Sequence, residues 1–166
     1  SLLDTALLPS REGVQALAGL GDGRVVCSHD GGSLSVWTAV GDRIERLSLV
    51  DHPGSLGMAT TATLITVGGK QAVAVGHETG MISVWRIERW GLSLLATLDV
   101  RSPHPVPSPY PLRHVRGLVQ TPSGLLVSGS EDGDLALIQL GPSLDVARPE
   151  VVSRSRYSQT AKRGIN

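Results

Sequence analysis

The stretch Gly76-His77-Glu78-Thr79-Gly80-Met81-Ile82-Ser83-Val84-Trp85 decides how this chain folds, because the chain carries it in three versions. An earlier copy reads Ser28-His29-Asp30-Gly31-Gly32-Ser33-Leu34-Ser35-Val36-Trp37. A later one reads Gly129-Ser130-Glu131-Asp132-Gly133-Asp134-Leu135-Ala136-Leu137-Ile138. Each copy places an acid and a glycine ahead of apolar residues that alternate and end on a bulky side chain. That order predicts a tight turn feeding a half-buried strand. A pattern repeated at a near-constant period has to be read before any single residue, since it sets the architecture.

Working outward, each copy extends in register. Val14, Leu17 and Ala18, then Gly21-Asp22-Gly23 and Val25-Val26-Cys27, lead into the first copy. Val115, Leu118 and Val119, then Pro122-Ser123-Gly124 and Leu125-Leu126-Val127, lead into the third at the same spacing. Thr63-Leu64-Ile65, Gly68-Gly69-Lys70 and Ala72 to Val75 precede the second, with one residue inserted. Weaker apolar runs follow, at Ile44 to Leu49, Leu92 to Leu98 and Leu144 to Val152. The expectation is an all-β chain of repeated four-stranded antiparallel sheets.

Over residues 13 to 152 this resembles the WD40 repeat. The likeness rests on the Pro/Ser-x-Gly turn after the first strand, the Gly-Ser-x-Asp-Gly type of turn after the second, and Trp in the third. It is strongest in Thr121-Pro122-Ser123-Gly124 and Gly129-Ser130-Glu131-Asp132-Gly133. The resemblance implies β-propeller blades set radially around a channel. The blades are degenerate: the family's Trp-Asp pair stands here as Trp37-Thr38, Trp85-Arg86 and Ile138-Gln139, and the opening Gly-His pair is missing. The family's buried polar network is therefore expected only in fragments, such as Glu78 with Trp85.

The expected organisation is the last strand of a preceding blade at 1–12, blade A at 13–50, blade B at 58–100, a proline-rich loop at 101–113, blade C at 114–152, and a polar loop opening a following blade at 153–166. Propellers have about four to eight blades, so this reads as an incomplete ring. Further blades from the same polypeptide, a second one or another copy are expected to complete it.

Composition agrees. Hydrophobic residues make up 40% of the 166, and twenty Gly and ten Pro suit a chain with many turns. Phe is absent and aromatics are 3%, so the core has to be aliphatic, with Trp37 and Trp85 its largest members. Fifteen bases balance fifteen acids, which removes a strongly basic nucleic-acid footprint. No apolar run approaches the ~20 residues of a membrane span. The expectation is no nucleic acid and no membrane. A single cysteine, Cys27, rules out an intrachain disulfide, reads as a buried inert thiol and points to a reducing compartment, cytoplasmic or alternatively nuclear.

Residues 102–112, Ser-Pro-His-Pro-Val-Pro-Ser-Pro-Tyr-Pro-Leu, read as a stiff spacer or a docking segment with Tyr110 as anchor. His29 and His77 recur in equivalent turns, each followed by an acid, but Ser130 holds that place in the third copy, so a metal pair is not expected. No nucleophile, phosphate-loop or metalloprotease motif occurs, and the chain is read as a non-enzyme without cofactors. The resemblance implies a scaffold that presents its loops to protein or peptide partners. The contact residues read from it are His29, Asp30, His52, His77, Glu78, Tyr110, Glu131 and Asp132. The alternative is a lectin-like or catalytic propeller with a channel site, for which Trp90 is the one candidate platform; otherwise Trp90 reads as the cap of an apolar edge.

Overall fold

The computed structural model describes residues 5, 13–51, 54–103 and 113–156. They form three antiparallel four-stranded sheets, each a simple meander. Blade A holds β1 (Val14–Gly19), β2 (Arg24–His29), β3 (Ser33–Val40) and β4 (Arg43–Asp51). Blade B holds β5 (Ala59–Val67), β6 (Lys70–His77), β7 (Met81–Ile87) and β8 (Leu92–Asp99). Blade C holds β9 (Val115–Gln120), β10 (Leu126–Ser130), β11 (Asp134–Gln139) and β12 (Glu150–Arg156). The first strands contact one another in series, β1 with β5 and β5 with β9. The sheets therefore fan out from a common line, as propeller blades do.

The repeated turn explains why each second and third strand pair. Gly32, Gly80 and Gly133 have φ of 87°, 79° and 86°, a region that strains any residue bearing a Cβ. Each closes its turn with a backbone bond to the end of the preceding strand: Gly32 N to His29 O, Gly80 N to His77 O and Gly133 N to Ser130 O.

The core lies between blades. Along β6, Ala72 and Ala74 join the cluster shared with blade C, while Val73 and Val75 join the cluster shared with blade A. That is the period of two of a strand, here with both faces covered. The small residues sit where Val115, Leu126 and Ile138 of blade C fill the space. On the other side Trp85, Val73 and Val75 pack on Leu34, Val26 and Val36 of blade A. The outer blades lack a neighbour on one side among the described residues. Leu17 (62% exposed) and Leu49 (50%) line the open face of blade A, and Val119 (59%) and Leu135 (52%) that of blade C. Among the described residues the ring is incomplete.

Two expectations in blade C are corrected. The run from Leu144 to Val152 is not one strand: Leu144–Val146 form a short 3-10 turn, and Leu144 is buried in the cluster between blades B and C. Residues 153–156, expected to lie in a polar loop, continue β12, because their backbone pairs with β11 as far as Asp134 opposite Arg156. Pairing needs backbone groups, not apolar side chains. The expectations for 1–12 apart from Thr5, for His52, for Tyr110 and the proline-rich stretch over 104–112, and for 157–166 lie outside the described residues.

Gly76 marks the tightest approach at the seam between blades B and C: a Cβ there would come within 2.5 Å of Val115 Cγ1 and 2.8 Å of Thr61 Cγ2. Val115 is fully buried and has little room to yield. Gly76→Ala is expected to cost about 1–3 kcal/mol, as overpacking does. The check is a urea titration, with a lower midpoint at an unchanged slope as the expected result.

Candidate functional site

The end of the blades that carries the β2–β3, β6–β7 and β10–β11 turns holds most of the residues singled out from sequence. A common latch fixes these turns. The turn acid's backbone N–H donates to the carbonyl of the segment entering its own blade: Asp30 N to Gly13 O at 3.1 Å, Glu78 N to Met58 O at 2.9 Å and Glu131 N to His114 O at 3.0 Å. The acid side chains reinforce it. Asp30 Oδ2 accepts from Gly13 N at 3.1 Å, and Glu78 Oε1 accepts from Met58 N at 2.9 Å. Glu131 is met by Arg116 at 2.9 Å and by His114 Nδ1 at 3.4 Å. Asp132 accepts from Ser130 Oγ and from Asp134 N. These acids are thus held in place by their own blades, and Asp30 and Glu131 remain exposed at the turn tips.

His29 and His77, read from sequence as contact residues, are 1% and 0% exposed, and this corrects their assignment to the surface. Each ends a hydrogen-bonded relay. Trp85 Nε1 donates to Ser83 Oγ at 2.7 Å, and Ser83 Oγ lies 2.8 Å from His77 Nε2. His77 Nδ1 lies 3.3 Å from the Gly57 carbonyl, which can only accept. The proton therefore sits on Nδ1, Nε2 accepts, and the serine hydroxyl donates to it while accepting from the indole. In blade A the same chain runs Trp37 Nε1 to Ser35 Oγ at 2.6 Å and Ser35 Oγ to His29 Nε2 at 2.7 Å. The tryptophan's partner is thus a serine on its own strand, not Glu78. Blade C replaces the relay with Ala136 and Ile138. The signal was present in the sequence: Ser and Trp two apart share a strand face, and His lies across the hairpin from them.

The opposite end carries charged contacts between blades that sequence reasoning missed. Arg24 of blade A donates to the Glu88 carbonyl of blade B at 2.7 Å, and Arg86 of blade B donates to Asp145 of blade C at 2.8 Å. The Arg24 guanidinium, hydrogen-bonded to Asp22, holds that carboxyl below its usual range. The hydrogen bonds from Arg101 do the same for Asp99, and Asp99 in turn raises Arg101. Cys27 is pushed up by burial, against the opposing hydrogen bond with Ser35. Trp90, expected to cap an apolar edge, is 60% exposed on the β7–β8 turn. No group of three His, Cys, Asp or Glu able to hold a metal occurs among the described residues, and no helix among them is long and apolar enough to cross a membrane.

No protein-family model matches the sequence, and no curated protein matches it. Solved structures do share its fold. A protein from Lactobacillus plantarum superposes with a TM-score of 0.69 at 18% identity, over 87% of this chain and 42% of its own. Sqt1 of Saccharomyces cerevisiae superposes with a TM-score of 0.66 at 13% identity, over 89% and 36%. A candidate 6-phosphogluconolactonase of Bacteroides uniformis superposes with a TM-score of 0.70 at 12% identity, over 89% and 42%. The chain is thus β-propeller-like, and it spans less than half the length of these solved chains. The reading as a non-enzyme is corrected by the third likeness, because the fold is shared with a candidate hydrolase and a blade frame does not fix chemistry.

Removing the relay's central hydroxyl leaves an indole N–H and an imidazole nitrogen without their partner. For Ser83→Ala, between two covered blades, the expected cost is about 1–3 kcal/mol. Ser35→Ala is expected to cost less, since Trp37 is only partly buried and water can replace the serine. Urea unfolding followed by tryptophan fluorescence compares the two. Cys27 is expected to resist a thiol reagent at pH 8 in the folded protein and to react fully in denaturant, as absorbance of the released thiolate reports.

Proposed function

We propose that the chain is part of a WD40-type propeller that serves as a scaffold for protein or peptide partners. The observation that carries this reading is the row of three equivalent turns at one end of the blades, each pinned by the same backbone bond. A latched turn loses little freedom on binding, which lowers the cost of association. The exposed acids on this row are Asp30 and Glu131, with Glu78 and Asp132 half-buried beside them. The partner-facing role passes to these acids, because His29 and His77 lie beneath the surface. The two open blade faces support completion of the ring by further blades, from the same polypeptide, a second one or another copy. A reducing compartment, cytoplasmic or alternatively nuclear, is part of this proposal, in keeping with the single buried thiol.

The fold shared with a candidate 6-phosphogluconolactonase adds an enzymatic reading to assay alongside: turnover of 6-phosphogluconolactone above the rate without protein supports it, and none at high protein concentration sinks it.

The scaffold reading is tested with the triple variant Asp30→Asn, Glu78→Gln, Glu131→Gln. It keeps the hydrogen-bond acceptors that latch the turns while removing three charges. Partners captured by the wild-type chain are expected to be lost about tenfold, a differential of about 1.4 kcal/mol. Undiminished capture by a variant of unchanged urea midpoint would rule out the turn row as the contact surface.

A further inference from the structure

β4, β8 and β12 each stand at the end of their sheet, so each has one edge with no strand beside it among the described residues. Proteins commonly protect such edges with charge. β4 carries Arg43, Glu45, Arg46 and Asp51, and β12 carries Glu150 and Arg154. β8 reads Leu92-Ser93-Leu94-Leu95-Ala96-Thr97-Leu98 before its first charge at Asp99. Among these three outer strands it alone lacks that protection along its length.

A groove of about 520 Å³ lies against this strand. Leu56, Met81 and Leu94 make its apolar lining, Thr79 and Thr97 its hydroxyls, and Arg101 its charged end. Leu94 and Thr97 lie opposite Trp85 and Ser83, so the groove opens on the side of blade B that faces blade A. Its wall is built: the Thr79 hydroxyl donates to the Leu56 carbonyl at 2.6 Å, joining the β6–β7 turn to the segment before β5. The end of β8 holds one ion pair, Arg101 with Asp99, and a second guanidinium, that of Arg154, at the neighbouring Val100 carbonyl. Arg101 Nε donates to Asp99 at 2.8 Å, and Arg154, which donates to the Val100 carbonyl at 2.8 Å, also lowers Asp99 by its charge. Of these three charged groups two are cations and one is an anion.

We propose that the free edge of β8 receives an extended aliphatic peptide segment ending in acidic residues, added as a fifth strand of blade B. Main-chain hydrogen bonds along the edge provide attachment, and alternate side chains lie beside Leu94 and Thr97 at the mouth of the groove. The acidic end meets Arg101 and Arg154. This deepens the scaffold reading and rests on it, but at a site separate from the turn row.

The test is fluorescence anisotropy of the whole chain with the labelled peptide Val-Thr-Val-Leu-Asp-Glu and a control ending in Lys-Lys. Saturable binding that prefers the acidic peptide is expected. Leu94→Lys and Thr97→Lys are each expected to weaken it at least tenfold, and Arg101→Glu to reverse the preference between the peptides. Two charged positions are used so that one variant with a wild-type urea midpoint suffices. No saturation at millimolar protein, or equal binding by a folded Lys variant, overturns the proposal. So does a mass that rises with concentration in light scattering and is restored to the monomer by Leu94→Lys, which would give the edge to a second copy. Partner capture through the turn row is read separately, so a failure at β8 leaves the scaffold reading standing, and its own failure would show only in the turn-row variant.

Discussion

A four-stranded sheet has two faces, and each needs a neighbour before its apolar residues leave water. Blade B meets that condition on both sides, and the rest of the structure depends on it. The valines of β6 turn to blade A and its alanines to blade C, so one strand supplies two seams. On the blade C side the alanines of β6 share one cluster with Val115, Leu126 and Ile138. Burial of this kind is the main favourable term in folding, at roughly 25 cal/mol per Å² of apolar surface. Gly76 stands where the backbone comes too close for any side chain.

The same dependence separates two polar relays of identical design. His77, Ser83 and Trp85 lie under blade A and are sealed from water, whereas Trp37 lies on a face with no blade over it among the described residues. A buried hydrogen-bonded chain fixes side-chain orientation strongly only when water cannot compete for its members. The relay in blade B therefore joins hairpin, entry segment and seam into one unit, through the bond from His77 to Gly57.

At the end of the blades that presents the turns, rigidity and exposure are divided between residues. Backbone latches hold the loops, and the acids beside them both strengthen the latch and face outward. The far end joins the blades through charged groups, with Arg24 and Arg86 reaching across successive seams. A frame secured in this way allows its loops and outer edges to vary without loss of the core. The fold is compatible with binding and with catalysis, and the side chains placed on it decide between them.

Much of the fold was legible in the chain itself. Turn glycines at Gly32, Gly80 and Gly133 and the alternation after them specify strands and hairpins, because positive φ and period-two burial are local demands. Local demands also show the number of sheets. They do not show how a side chain is shared between sheets. The burial of His29 and His77, the role of Ser83 as Trp85's partner, the plug made by Leu144 and the groove along β8 each arise from packing. In every case the residues that create the environment lie on another strand or another blade, and only the folded chain brings them together. Sequence determined the repeat and its turns because those are settled within a few residues. The tertiary structure decided which polar groups are sealed inside and which face outward, because burial depends on the neighbour that covers the sheet.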